Sequence, residues 1–326
     1  MTNLHPAAEL LASFDSYRLE QFRNARPALL YEPLVYMMNL GGKRIRPLAT
    51  LWVAKQLGGD PVAAMDAAYG VELFHNFTLM HDDIMDAAEK RRNQMCAHLR
   101  FGSSAAILSG DVMLIESIRY LREAEEKSGA PGLCDLLIRT AREVCEGQAM
   151  DMEFESSREV GLEDYIEMIR RKTAVLLAAC LELGTRIGKR PEIAGTCYSL
   201  GLWTGIGFQL EDDYLDFYAQ DPAFGKLHAG DIRRKKKSGL ILELCDRLLP
   251  EERREFLKWY QDEADDEERI AGVGKAFDQK DIALIFRQRI DSYKQRALQA
   301  VEELDHLNGL AKELRSFVDW IFSRSY

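Results

Sequence analysis

The chain has 326 residues, 47% of them hydrophobic and 29% charged, proportions that allow a sizeable buried core and exclude the disordered and fibrous classes. A formal charge of −10, from 43 basic and 53 acidic side chains, argues against a general nucleic-acid or anionic-membrane binder. Six scattered cysteines, Cys96, Cys134, Cys145, Cys180, Cys197 and Cys245, form no Cys-x-x-Cys pair and lack zinc-finger histidines, which fits reduced thiols in a cytoplasmic protein.

From the start of the chain, Met1 to Glu20 mixes His5, Pro6, Glu9, Asp15 and Arg18, with no basic leader or continuous apolar stretch, so no secretion signal is expected. No charge-free run reaches the roughly 20 apolar residues of a membrane span, so no membrane insertion is expected. Nearly every long segment has helical spacing, and alternating strand patterns and Asn-Gly hairpins are missing. The fold class read from this is all-α: a single domain, 1–326, built as a bundle of about ten or more helices. Breaks fall at Gly41-Gly42, Gly58 to Pro61, Ser128 to Gly132, Gly188 to Pro191, Asp221-Pro222 and Pro250.

The first break delivers Lys43, Arg44 and Arg46, with two glycines that let backbone approach a ligand. The next helical run, Ala67 to Met80, is apolar nearly all round, as a central helix should be, and ends in Asp82-Asp83-Ile84-Met85-Asp86. Arg91-Arg92 follow. Lys172-Thr173 opens another apolar helix, Ala174 to Leu183; a cavity-lining lysine and a snorkelling one fit the sequence equally. Leu200 to Leu210 repeats the buried character and ends in Asp212-Asp213-Tyr214-Leu215-Asp216, with Gln209 beside it. Lys226 and the run Arg233 to Lys237 supply further cations.

Carboxylates four apart on a helix share a face and can chelate a hard cation together. One such cluster alone reads as a solvated helix end. Two copies, each closing a buried apolar helix, favour magnesium shared with substrate phosphate, because buried carboxylates need cationic compensation. A di-iron bundle draws on Glu-x-x-His pairs facing one another from separate helices; that spacing occurs at Glu72–His75 and Glu303–His306, but neither lies in an aspartate cluster, so di-iron is not indicated. His81 has no second histidine at ligand spacing, so zinc is not indicated. The three basic groups suit diphosphate oxygens, although Arg233 to Lys237 taken alone reads as a surface patch.

In order, Gly41-Gly42-Lys43-Arg44-Ile45-Arg46-Pro47, His75-Asn76, the first aspartate cluster, Arg91-Arg92, Gly147-Gln148, Asp151, Lys172-Thr173, Phe208 to Asp216 and Phe224-Gly225-Lys226 resemble the trans-isoprenyl diphosphate synthases, or polyprenyl synthetases. The resemblance implies an isoprenoid-synthase bundle around a deep central cavity and a likeness in activity: head-to-tail condensation of isopentenyl diphosphate with an allylic diphosphate. It implies magnesium on Asp82, Asp86 and Asp212, three ions per site with diphosphate bound, with Asp83 and Asp216 as helpers. Isopentenyl diphosphate would meet Lys43, Arg46, His75 and Arg92. The allylic diphosphate would meet Arg91, Lys172, Thr173, Gln209, Lys226 and Lys236, with Lys172 also placed among the catalytic residues. Where the family usually continues Thr-Leu-Pro after the last lysine, this chain has Ser238-Gly239-Leu240, leaving Lys236 and Lys237 both open for that role. A homodimer is the family expectation.

Phe77 lies five residues before Asp82, about 7.5 Å down a helix, and small Thr78 follows it. By resemblance this pair makes the floor of a short-chain enzyme producing geranylgeranyl or farnesyl diphosphate; plain core packing of Phe77 is compatible with that role. The competing readings are a terpene cyclase, which needs no second diphosphate site, and a regulatory subunit, which usually loses part of a cluster. The C-terminal residues to Tyr326 read equally as a helix end or as a cover for the isopentenyl site.

Overall fold

A computed structural model describes residues 5–15, 17, 20–157, 159–219, 228–261 and 265–323. Its elements in chain order are α1 His5–Asp15, α2 Glu20–Arg23, α3 Ala28–Asn39, α4 Ile45–Gln56, α5 Pro61–Met85, β1 Lys90–Arg91, β2 Gln94–Met95, α6 Ala97–Phe101, α7 Ser103–Ser128 and α8 Leu133–Ser156. They continue with α9 Leu162–Ile169, a π-helical turn Arg170–Ala174, α10 Val175–Ile187, a 3-10 turn Pro191–Ile193 and α11 Ala194–Tyr218. The remainder is α12 Gly230–Arg233, α13 Gly239–Asp246, α14 Pro250–Gln261, α15 Asp266–Gln279, α16 Ile282–Glu302 and α17 Asn308–Phe322. The fold is all-α, as the periodicity requires.

One departure is the short antiparallel hairpin, in which Lys90 pairs with Met95 and Arg91 with Gln94. Its turn residues, Arg92 (φ 52°) and Asn93 (φ 62°), both adopt left-handed backbone, the geometry of a tight two-residue hairpin turn. Strands of two residues carry no alternation, and the turn lacks glycine, so the sequence gives no warning of it.

Internal contacts divide the chain into two compact units, Met1–Thr140 with Ala179–Tyr198, and Ala141–Ala178 with Ser199–Tyr326. In the first unit, α5 starts with Pro61 in its first turn and Asp60 as cap, whose carboxylate accepts from the Ala63 N–H at 2.7 Å. Ala67, Ala68, Val71, Leu73 and Phe74 are fully buried along it, so the all-round apolar pattern does mark a central helix. In the second unit, Tyr165, Ile206, Leu210, Ile241, Tyr260, Phe277, Phe286 and Ile290 form one core. There α11 comes close to the segment opening α10: side chains added at Gly201 and Gly205 would strike the backbone of Ala178 and Ala174. Small residues four apart on both elements permit that approach. Leu202 and Trp203 are only partly buried, less so than their helix's composition suggests. No helix among the described residues is long and apolar enough to cross a membrane.

Candidate active site

In the first unit the basic loop and α5 are joined by a chain of contacts. Gly41 (φ 78°), Gly42 (φ 129°) and Arg44 (φ 47°) all have left-handed backbone. For a non-glycine residue such as Arg44 that conformation costs roughly 1–2 kcal/mol, so its surroundings must hold it. At Gly42 a β-carbon would sit 2.7 Å from the Arg92 guanidinium carbon. The glycine is therefore what lets Arg92, carried by the hairpin turn, lie over the loop.

Arg46 donates to His75 Nε2 at 3.2 Å. Burial, followed by Arg46, Arg92, Arg91 and Arg44, holds the His75 imidazole well below its usual range. A neutral ring accepting at Nε2 keeps its proton on Nδ1. Lys43 is exposed at the loop tip.

The first aspartate cluster divides into unlike members. Asp83 is buried and receives Arg91 in a fork, Nε at 2.9 Å from each oxygen and Nη2 at 2.7 Å. Asp82 is half-buried and Asp86 exposed, just past the end of α5. Below them Phe77, 9% exposed, packs against Phe74 (centroids 5.6 Å apart) and edge-on to His81 (4.8 Å). His81 fits because Gly110 of α7 has no side chain, and its Nε2 lies 3.1 Å from the Ile107 carbonyl. The Thr78 hydroxyl donates back to the His75 carbonyl at 2.8 Å.

In the second unit Lys172 and Thr173 lie in the π-helical turn rather than in an ordinary helix start. Such turns widen the helix locally and often mark functional positions. This one is clamped by Arg170, which donates to Glu167 at 2.6 Å and Glu143 at 3.0 Å, and by Arg171, which pairs with Glu167 and Glu146. Those arginines, against some opposing burial, hold the Glu167 carboxyl down at about 2. Gly147 of α8 faces the turn: a β-carbon there would lie 2.3 Å from the Lys172 backbone nitrogen. The Lys172 ammonium meets Asp151 at 2.6 Å.

Thr173 donates to Gln209 Oε1 at 3.4 Å, and Gln209 Nε2 donates to Asp213 at 3.2 Å. Buried Asp213 also accepts from the Tyr165 hydroxyl and, at 3.0 Å, from the Gly239 N–H. Burial, with Asp231 adding to it, pushes its carboxyl up to about 7. Asp212 is half-buried on the same helix, whereas Asp216 accepts from the Asp231 N–H at 2.9 Å. In each cluster the middle aspartate is thus committed to the protein.

Of the basic run, Arg233 pairs with Glu267 at 2.6 Å and Arg234 with Asp231 at 3.0 Å, and Lys235 donates to the Gln261 carbonyl at 3.1 Å. Lys237 donates to the carbonyls of Phe154 and Ser157, both at 2.7 Å. The Lys236 backbone is fixed by Tyr260, whose hydroxyl donates to its carbonyl at 2.8 Å. Lys226, with Phe224 and Gly225, lies outside the described residues, as do Arg324 and Tyr326.

A family model described as Polyprenyl synthetase matches residues 27–276. The chain belongs to the polyprenyl synthetase family. It is 37% identical to a geranylgeranyl diphosphate synthase of Methanosarcina mazei over 68% of this chain and 69% of that one. It is 32% identical to a geranylfarnesyl diphosphate synthase of Natronomonas pharaonis, over 94% and 93%. A crystal structure of a geranylgeranyl pyrophosphate synthase superposes with a TM-score of 0.90 at 36% identity, covering all of both chains.

As a polyprenyl synthetase the chain is a prenyltransferase, and two residues that support the candidate site, Glu72 and Tyr165, were not singled out from sequence. Glu72 is a charged residue, 2% exposed, inside the apolar run of α5; that anomaly is its signal. Asp213 and Tyr165 meet across 48 positions, which no local pattern reveals.

Proposed function

We propose that this polyprenyl synthetase condenses isopentenyl diphosphate head-to-tail with dimethylallyl, geranyl or farnesyl diphosphate, giving a short-chain all-trans product, geranylgeranyl or farnesyl diphosphate. The observation that carries the reading is the assembly of Gly42, Arg92, Arg46 and neutral His75, a second basic site that a terpene cyclase has no use for. Two complete aspartate clusters likewise speak against a regulatory subunit. Residues 1–326 act together as one catalytic domain in this proposal, in the cytoplasm.

Among the described residues no three His, Cys, Asp or Glu side chains form a ready metal group. Sparse, all-oxygen donors suit magnesium, which keeps waters and takes further ligands from phosphate. Asp82, Asp86 and Asp212 would hold the ions, three per site with diphosphate bound, which supply Lewis-acid stabilisation of the departing diphosphate. Arg91, Lys172, Thr173, Gln209, Lys226 and Lys236 orient the allylic diphosphate and add fixed positive charge where negative charge develops. Lys43, Arg46, His75 and Arg92 hold the isopentenyl diphosphate so that its double bond attacks the allylic carbon. Apolar side chains exclude water that would quench the cation, and the released diphosphate takes the proton.

Incubation with magnesium, labelled isopentenyl diphosphate and each allylic primer in turn tests the proposal. Label should enter prenyl diphosphates lengthened by one isoprene unit at a time; hydrocarbon or alcohol from the allylic substrate alone would mean a cyclase. Phe77→Ala should shift the product to longer chains, as expected for a floor made by the Phe74, Phe77 and His81 rings; an unaltered product spectrum places the floor elsewhere.

The two lysines separate on their contacts. Lys237 is committed to the carbonyl oxygens of Phe154, Ser157 and, at longer range, Glu155, and burial lowers its ammonium from the usual range, which supports Lys236 as the phosphate ligand. Lys236→Ala should raise the allylic KM about tenfold or more, the worth of one charged hydrogen bond, whereas Lys237→Ala should mainly lower Tm. The reverse pattern in steady-state kinetics and melting would reassign the role.

The proposed assembly is a homodimer. Leu108 and Ile115, seven apart on α7, are 53% and 63% exposed, and a second copy is the occupant that the family expectation supplies for such a stripe. Light scattering on Ile115→Asp should then show monomer; a dimer of unchanged stability would move the interface off α7.

A further inference from the structure

We infer that Glu72 and Arg44 are positioning residues that hold the basic loop in shape for isopentenyl diphosphate, an inference that rests on the function proposed above. Arg44 stands at the start of α4 in left-handed backbone, with Gly41 and Gly42 in the same region just before it. Its guanidinium reaches two other elements. Nη2 donates at 2.6 Å to the Met38 carbonyl in the last turn of α3, and Nη1 to Glu72 of α5. Both side chains are withdrawn from solvent, 9% exposed for Arg44 and 2% for Glu72, so neither is displayed to a ligand as Lys43 is.

Glu72 lies three residues before His75 and four before Asn76, on the same face of α5. It accepts from Asn76 Nδ2 at 3.0 Å, which accounts for the asparagine that follows His75. It also contributes the main attractive charge felt by Arg92, opposed there by Arg44, Arg91 and Arg46. One buried carboxylate therefore serves two ends. It fixes the fork that ties the glycine loop to α3 and α5, and it offsets mutual repulsion among four arginines gathered before any diphosphate arrives. Arginine's planar fork is required, because a lysine ammonium cannot span a carbonyl and a carboxylate on separate helices with the same rigidity.

Glu72→Gln keeps the shape and an acceptor while removing the charge; Arg44→Lys keeps the charge and removes the fork. Each is measured for both Michaelis constants, kcat and Tm, together with equilibrium dialysis of isopentenyl diphosphate alone. The expected result is a rise of about tenfold or more in KM and in the dissociation constant for isopentenyl diphosphate, with allylic KM and kcat within about threefold. In the double variant the two effects should fall short of additive, as for residues acting on one contact. Proportional changes in kcat, both KM values and Tm would show a general structural role and overturn the inference, as would unchanged isopentenyl diphosphate binding in both variants. If the wild-type protein itself fails to bind isopentenyl diphosphate, the functional proposal falls and takes this inference with it.

Discussion

Replacing Asp82 or Asp212 by alanine is expected to lower kcat by about 10²–10⁴-fold, the loss of several kcal/mol of charge stabilisation at the departing diphosphate, while the fold survives. Both side chains are half-buried on helices whose cores are formed by other residues, so the loss of stability should be smaller than at a fully buried carboxylate. Asp83 provides the contrast. Its carboxylate is buried and holds the Arg91 fork, so Asp83→Ala strands a partly buried guanidinium. The cost should be about 1–3 kcal/mol, less than for a fully buried pair because Arg91 keeps some contact with water. Circular-dichroism melting and steady-state kinetics on the three variants should thus separate two residues that are adjacent in one motif. Similar melting for all three, or near-normal turnover in Asp82→Ala, would contradict the assignment.

Gly147→Ala should be nearly as damaging to turnover, through an entirely different cause. Its methyl would enter the space occupied by the Lys172 backbone, with the nitrogen at 2.3 Å and Cα at 2.8 Å, where no flexible side chain can give way. Either α8 moves outward or the π-helical turn shifts, and overpacking of this kind costs about 1–3 kcal/mol. Because Lys172 and Thr173 ride on that turn, a displacement near 1 Å should cost about a hundredfold in kcat. Gly195 on α11 is the control, since nothing lies within 4 Å of its added β-carbon. Gly195→Ala should be neutral or gain a few tenths of a kcal/mol from better helix propensity. If the two variants melted and turned over alike, close packing at Gly147 would not be what positions Lys172.

These contrasts show where a sequence stops being legible. The helices were visible because α5 and α11 carry apolar residues at nearly every position, and the cations were visible because the motifs bring them in order. What each charged residue does was not visible. Asp82 and Asp83 point to different sides of α5, and only Asp83 meets Arg91, which the chain brings back on the first strand of the hairpin; that hairpin has no alternating pattern and no glycine in its turn. Lys236 and Lys237 differ only because carbonyls more than 75 positions earlier receive one of them. A π-helical turn adds a residue without leaving any compositional trace, so Gly147-Gln148 read as a motif with no stated reason; the reason is the close passage of the Lys172 backbone.

On the proposed function, aspartates of both clusters are needed, with magnesium, to capture the allylic diphosphate. Calorimetric titration with a thio analogue of farnesyl diphosphate, whose carbon–sulfur bond resists ionisation, measures that capture without turnover. The expected result is tight binding to the wild-type protein only in the presence of magnesium, weakened at least tenfold by Asp82→Ala and by Asp212→Ala. Equal affinity without magnesium, or in either alanine variant, would contradict the claim.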